Sequence, residues 1–307
     1  MSVTVYGVSP TREGDAGLRS SWMRRIVEVA LDEDLGPRPG RDVTTLATVS
    51  SQAQATAHLV AREDGVVAGL PLVPVVVDQV ARRLETSGVS VEFAVSDGTT
   101  VTPGTVLATL QGPTRVLLIA ERTLLNLASR ASGVATATAA WSRVLTGTGT
   151  TVLDTRKTTP GLRELDKYAV RCGGGTNKRM GLYDVAMVKD NHVVAAGSIT
   201  SAVSAIRRAF PDVDIQVEAD TREQAVEAVA AGAKFLLLDN MSNELMTEVV
   251  AAVRAGEDST GRIELEATGN LTVDRAASVA ATGVDYMSVG ALTHSAAILD
   301  LALDLVE

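Results

Sequence analysis

The chain has 307 residues, enough for one large domain or two moderate ones with a substantial buried core. Its net charge of −9 argues against nucleic acid or an anionic membrane as the main partner, and its single cysteine excludes an internal disulfide and any cysteine-rich metal site. Aromatic residues make up only 3% of it, so the core must be built from Val, Leu, Ala and Ile, as in α/β proteins whose buried parallel strands read as short apolar runs. The stretch MSVTVYGVSP has neither a charged n-region nor an apolar h-region, and no apolar run approaches membrane-spanning length; a soluble, cytoplasmic protein is expected.

A helix is expected over residues 20–34, SSWMRRIVEVALDED, with Trp22, Ile26, Val29 and Ala30 on its apolar face. DLGPRPGRDVTT breaks it. AQATAHLVA (53–61) alternates as a half-buried strand does, PVVVDQVARRLE reads as helix, and VSVEFAV and TVLATL read as further strands. Together they make a compact α+β unit ending near Gly112 and Pro113. Residues 115–145 read as one long helical region, Gly133 being a candidate point of interruption. Arg122, Asn126, Ser129 and Gly133 share one face of it, either a solvent stripe or the wall of a cleft.

From residue 151 the rhythm changes. Strand-like runs recur (TVLDT, DVAMVKD, DIQVEAD, KFLLLDN, RIELEATGN, VDYMSVG), with helical candidates near 198–210, 221–231, 243–255 and 272–282. Repeated βα units imply a parallel sheet, either closed as a barrel or doubly wound. The strand ends favour the barrel, because they finish in Asp154 with Arg156 and Lys157, then Lys189, Glu218, Asp239 and Glu266. Loops at the C-terminal face of a barrel would gather these groups around one mouth.

Four of the five lysines (Lys157, Lys167, Lys178, Lys189) fall within one window, with Arg156, Arg163, Arg171 and Arg179 among them and glycines interspersed in CGGGTNKR (172–179). That is more positive charge than one carboxylate needs, and it points to a polyanion site. Glu218 and Asp239 would face the cluster. Carboxylates beside excess cations are expected to have lowered pKa values and to serve hydroxyls, Mg2+ or a developing cation rather than act as acids. EATGN (266–270) and SVGALTHS (288–295) bring glycines and hydroxyls to the last two strand–helix junctions, where backbone amides can bind phosphate. Neither a GxGxxG fingerprint nor a P-loop is present. His58 sits in a strand and reads as structural, whereas His192 and His294 lie beside the proposed site loops.

DTRKTTPGLRELDKYAVRCGGGTNKRMGLYDVAMVKDNH (154–192), with ERTLLN, LLLDN, EATGN, SVGALTHS and the early EDLGPRPGRDVTT, resembles the quinolinate phosphoribosyltransferases over almost the whole chain. The resemblance implies an α/β protein with an N-terminal α/β sandwich and a C-terminal TIM-like α/β barrel. The sandwich would span 1–124 and the barrel 125–291, with 292–307 packing back on the sandwich. It implies joining of quinolinate to 5-phosphoribosyl-1-pyrophosphate with Mg2+, giving nicotinate mononucleotide, pyrophosphate and CO2. It also implies a homodimer whose sites are shared between subunits.

By motif, Arg122 would reach the partner's site, while Arg156, Lys178, Arg179 and Lys189 bind quinolinate. Lys157 would bind phosphoribosyl pyrophosphate, Glu218 and Asp239 would face the ribose and Mg2+, and Thr268, Gly269, Gly290 and His294 would hold the 5-phosphate. Lys157, Glu218 and Asp239 would be the catalytic groups.

The family's usual Asn-His-Arg is here Asn177-Lys178-Arg179, and Thr268 stands where serine is commoner. A phosphoribosyltransferase for another pyridine or aromatic carboxylate is the near alternative, and a catalytically silent binding protein on the same fold a further one. The rhythm of SDGTTVTPGTVLATLQG suggests a lipoyl- or biotinyl-type carrier, but no lysine precedes Lys157 to be modified, and that reading fails. Lysine carries its charge where histidine titrates. Quinolinate binding by Lys178→His should therefore weaken more steeply between about pH 6 and about pH 8 than binding by the parent chain; identical pH profiles would refute this.

Overall fold

A computed structural model describes residues 17–38 and 40–306. The first part contains α1 (Ser20–Leu35), α2 (Val43–Thr48), β1 (Gln54–Ala61), β2 (Gly65–Val66), α3 (Leu72–Arg83), β3 (Ser90–Phe93), β4 (Thr100–Val101), β5 (Val106–Pro113) and α4 (Thr114–Leu145). Asp42 starts α2 by accepting the Thr44 and Thr45 N–H groups. In α1 the buried face is Trp22, Met23, Val27 and Leu31, while Val29 is exposed. Positions 23, 27 and 31 stack one turn apart, and Val29 points away from that stripe.

The chain continues through β6 (Thr151–Leu153), α5 (Arg163–Cys172), β7 (Ala186–Val188), α6 (Asp190–Ala196), α7 (Ile199–Ala209) and β8 (Ile215–Ala219). It then forms α8 (Arg222–Ala230), β9 (Phe235–Asp239), α9 (Asn243–Ala255), α10 (Glu257–Thr260), β10 (Glu264–Thr268) and α11 (Val273–Ala280). The last elements are β11 (Tyr286–Ser288), α12 (Ala291–His294) and β12 (Leu301–Val306).

Two compact units result. One comprises the described residues through Ala137, with Thr159–Gly174 and the residues from Ala296 onward; the other comprises Thr138–Thr158 and Gly175–Ser295. The boundary thus falls inside α4, and α5 belongs with the first unit.

The first unit carries an antiparallel sheet in the order β12-β1-β5-β3. Its outermost strand comes from the far end of the sequence, Leu59 pairing with Leu303 on one side and Ala108 on the other. Helix α3 buries Val73, Val76, Val77 and Val80, and α1 packs beside it. Helix α4 is continuous, with no break at Gly133. The face carrying Arg122, Asn126, Ser129 and Gly133 divides instead: Arg122 and Asn126 are exposed, Ser129 and Gly133 buried. The returning chain covers the buried half, with Leu299 N–H donating to the Ser129 carbonyl at 3.0 Å.

The second unit holds a six-stranded parallel sheet in the order β6-β11-β10-β9-β8-β7. The first strand lies beside the last, and the others follow in sequence. That cyclic order is the pattern of a barrel wall rather than of a doubly wound sheet, whose order reverses at a switch point. On its other edge β6 gains a parallel bridge from Leu153 to Thr176. Leu153, Phe235 and Leu237 form a buried cluster against Met187 and Tyr286, with the Phe235 and Tyr286 rings stacked at 5.7 Å.

Gly133 explains itself in this arrangement, because a Cβ there would overlap the Ala297 carbonyl oxygen. Gly133→Ala should cost about 1–3 kcal/mol by forcing the tail off α4, read as a lowered midpoint in urea. An unchanged midpoint would refute the tail's seat.

Candidate active site

Parallel strands end together, so the loops after β6, β7, β8, β9, β10 and β11 open on one cavity of about 880 Å3. Of the site residues that the resemblance assigns, all but Arg122 line it. Arg122 stands exposed on α4 in the other unit, 4.0 Å from Glu121.

The segment CGGGTNKR reaches the cavity by a route that the glycines alone do not reveal. Gly173 closes α5, its N–H donating to the Ala169 carbonyl, and Gly174 takes φ +84° to turn the chain away. These glycines serve the helix exit. Thr176 then lies against β6, its N–H donating to the Val152 carbonyl at 3.0 Å. Asp154, fully buried at the end of β6, accepts the Lys178 N–H at 2.9 Å and the Asn177 side-chain amide at 2.6 Å. The two cations are delivered by that carboxylate.

The expected surplus of positive charge is much smaller than the window suggested. Five cations line the cavity (Arg156, Lys157, Lys178, Arg179, Lys189), against four carboxylates (Asp190, Glu218, Asp239, Glu266). Lys178 is buried, its Nζ donating to both oxygens of the fully buried Glu266 at 2.7 and 2.5 Å, with the Phe235 ring 5.5 Å away. Burial pushes the Lys178 ammonium below its usual range, opposed by Glu266 and reinforced by Arg179 and Lys189. Lys189 Nζ donates to Glu218 at 2.8 Å. Arg179 donates to the Val185 carbonyl at 3.1 Å and is pushed down by burial and by the neighbouring Arg156 charge. Two guanidiniums therefore share one side of the space.

The lowered pKa expected for the carboxylates does not hold for Asp239. Burial raises it, and Glu218 and Asp220 add like-charge repulsion that Lys189 only partly offsets. Ligand oxygens of Glu218, Asp220 and Asp239 lie within 4.8 Å of one another. An all-oxygen, negatively charged set of this kind suits a hard divalent cation.

At the other end of the cavity a Cβ on Gly290 would lie 2.9 Å from Lys157 Cδ and 3.1 Å from His294 Nε2, so glycine lets these side chains converge over the backbone. The Lys157 carbonyl accepts from Thr293 Oγ1 at 2.8 Å, tying the loop after β6 to α12. Gly269 has φ +86°, and a Cβ there would overlap the Asn240 side-chain oxygen. Asn240 (φ 52°) and Asn270 (φ 48°) also adopt left-handed backbone, uncommon outside glycine. Asn270 donates to Asn240 at 3.0 Å and Asn240 to Asp239 at 2.8 Å, a chain that orients the carboxylate.

Several basic residues of the window lie elsewhere. Lys167 is buried on α5, next to Asp166, which accepts from Arg130 at 3.1 Å and from the Thr159 N–H at 3.0 Å. Arg171 lies over the Tyr168 ring at 5.6 Å. His192 caps α6, its Nδ1 accepting the Lys189 N–H, and His58 is in β1. The Cys172 thiol is pushed up to about 12, chiefly by burial, which removes it as a nucleophile. The reading from residues missed what Asp154 and Glu266 do, and Asp220, Asn240 and Asn270 altogether. Asp220 could have been found from its place two residues beyond Glu218 at a strand end.

Residues 42–132 match the family described as quinolinate phosphoribosyl transferase, N-terminal domain, and residues 134–304 match its C-terminal domain. The chain belongs to the quinolinate phosphoribosyltransferase family. The nicotinate-nucleotide pyrophosphorylase [carboxylating] of Mycobacterium leprae is 45% identical over 282 residues, covering 92% of this chain and 96% of that protein. A probable nicotinate-nucleotide pyrophosphorylase [carboxylating] of Bacillus subtilis is 39% identical over 92% of this chain and 93% of its own length. The solved nicotinate-nucleotide pyrophosphorylase of Francisella tularensis superposes with a TM-score of 0.87 at 33% identity, covering 95% of this chain and 98% of that one. Human nicotinic acid phosphoribosyltransferase, 17% identical with a TM-score of 0.64 over 92% of this chain and 74% of its own, shares the fold with this quinolinate phosphoribosyltransferase family member.

Proposed function

We infer that this chain transfers the phosphoribosyl group of 5-phosphoribosyl-1-pyrophosphate to quinolinate with decarboxylation, yielding nicotinate mononucleotide, pyrophosphate and CO2, a step of NAD biosynthesis. Besides family membership, one observation carries the reading. A single cavity holds adjacent Arg156 and Arg179, the carboxylates Glu218 and Asp239, and the convergence of Lys157 with His294 over Gly290. Those three groupings answer to a dicarboxylate, a sugar ring and phosphates.

In this reading Arg156, Arg179 and Lys189 clamp the two carboxylates of quinolinate, with Lys178 beneath them, and so aim the pyridine nitrogen at the anomeric carbon. Thr268, Gly269, Gly290 and His294 hold the 5-phosphate, and Lys157 binds the pyrophosphate. As the bond from the anomeric carbon to pyrophosphate lengthens, Lys157 neutralises charge on the departing oxygen. Glu218 and Asp239 face the positive charge that develops on the ribose. The ring nitrogen supplies the electron pair for the new C–N bond and becomes cationic. That cation stabilises the carbanion left as the adjacent carboxylate departs as CO2, and the carbanion takes up a proton. Mg2+ fits beside Glu218, Asp220 and Asp239, where it would supply charge neutralisation for the pyrophosphate.

The reading includes a homodimer in which Arg122 reaches the partner's cavity. Leu182, Tyr183 and Val194 support it: three large apolar side chains, all well exposed, lie on the segments that also carry Arg179 and Lys189. Among the described residues no helix is long and apolar enough to cross a membrane; a cytoplasmic location belongs to the same proposed reading.

The deciding assay supplies quinolinate, phosphoribosyl pyrophosphate and Mg2+, and measures nicotinate mononucleotide and CO2. Turnover of nicotinate or another acid in place of quinolinate would overturn the assignment. Arg122→Ala and Lys189→Ala should each lose about 100-fold or more in kcat/KM. Mixing the two variants should restore activity, since one site of a mixed dimer is intact; failure to complement would count against a shared site.

A further inference from the structure

The pair formed by Lys178 and Glu266 lies in the wall of the cavity, and the reading above assigns no task to Glu266. Its carboxylate is wholly buried and meets one ammonium through both oxygens. Other groups close on Lys178 at its ammonium and at its main chain. Phe235 of β9 presents its ring at 5.5 Å. Arg179, the next residue, and Lys189, after β7, both act on it as like charges. Asp154, at the end of β6, holds the Lys178 main chain through its N–H. An ammonium buried between two cations and an aromatic face has a strong tendency to shed its proton unless an anion stays beside it.

We propose that Glu266 is a positioning residue for the acid substrate: it fixes the Lys178 ammonium at the cavity floor and, as its counter-ion, keeps that floor electrically neutral. Net positive charge is thereby reserved for Arg156 and Arg179, where the substrate's carboxylates are read, and Lys178 acts as an oriented hydrogen-bond donor. The inference rests on the quinolinate reading. In this role Glu266 acts through Lys178, to which both of its oxygens are bonded.

The consequence is a pH dependence that the intact protein suppresses. In Glu266→Gln the carboxylate that holds the Lys178 ammonium through both oxygens is lost, Arg179 and Lys189 remain, and its proton is released over the assay range. Its donation to the substrate is lost as pH rises. The KM for quinolinate in Glu266→Gln should therefore climb about tenfold between about pH 6.5 and about pH 8.5 relative to the parent. The KM for phosphoribosyl pyrophosphate should keep the parent's profile. Glu266→Asp, which retains a carboxylate, should restore much of the flat quinolinate profile. The double variant Lys178→Gln with Glu266→Gln should bind quinolinate more weakly than the parent but without the added slope.

A Glu266→Gln profile parallel to the parent's, or a slope that persists in the double variant, would overturn the proposal. Should Glu266→Gln fail to fold, the double variant decides. A folded double variant supports the pairing, because it contains no uncompensated charge at the floor. A second failure overturns it, because residue 266 would then need its carboxylate for something other than Lys178. Absence of turnover in the parent with quinolinate would be a failure of the functional reading, recognisable before any variant is made.

Discussion

Asp154 is buried at the end of the first parallel strand, where both of its oxygens are occupied by the segment that follows α5. A buried carboxylate is tolerated only when its lone pairs are met, and here they are met by a main-chain N–H and a side-chain amide. Thr176, two residues before Lys178, is bonded to the same strand as an added rung. Lys178 and Arg179 therefore enter the cavity from a loop with almost no freedom to drift. The pairing with Glu266, the proximity of Arg179 to Arg156 and the floor of the acid site all depend on that anchorage.

Electrostatics in the cavity work by local compensation rather than by surplus. Lys178 is matched by Glu266 and Lys189 by Glu218, while Arg156 and Arg179 repel each other and Asp239 is crowded by its own kind. A dianionic acid relieves the first repulsion. The second explains why Asp239 is not held low by its surroundings as a simple count of lysines and arginines would imply. Distance and burial set the balance, because interactions at 3 Å inside the barrel outweigh charges spread along a window of sequence.

The far side of the site is shaped by backbone. Gly269 and Gly290 leave room for Asn240, Lys157 and His294, and two asparagines accept left-handed conformations to complete the turns after β9 and β10. Such conformations persist where surrounding bonds over-determine them. The Asn270–Asn240–Asp239 chain is that determination, and it aims a carboxylate at the same time.

Much of this was legible in the residues. The βα rhythm after residue 151 predicted each parallel strand, and charged groups at the strand ends marked the mouth, because a strand's period and its terminal residues are local properties. The motifs around 154–192 carry the family resemblance in the sequence itself. Three things depended on the tertiary structure. Gly133 lies in a helix without breaking it, since the carbonyl that needs the space comes from Ala297. The edge strand β12 could be assigned only by its partner β1, far away in sequence. Cations that looked alike in one window separated into the cavity (Lys157, Lys178, Lys189) and the interior of α5 (Lys167). The residue types and the local periodicities determined which chemistry was available; which charges face each other, and which are already neutralised, is decided by contacts between segments distant in the chain.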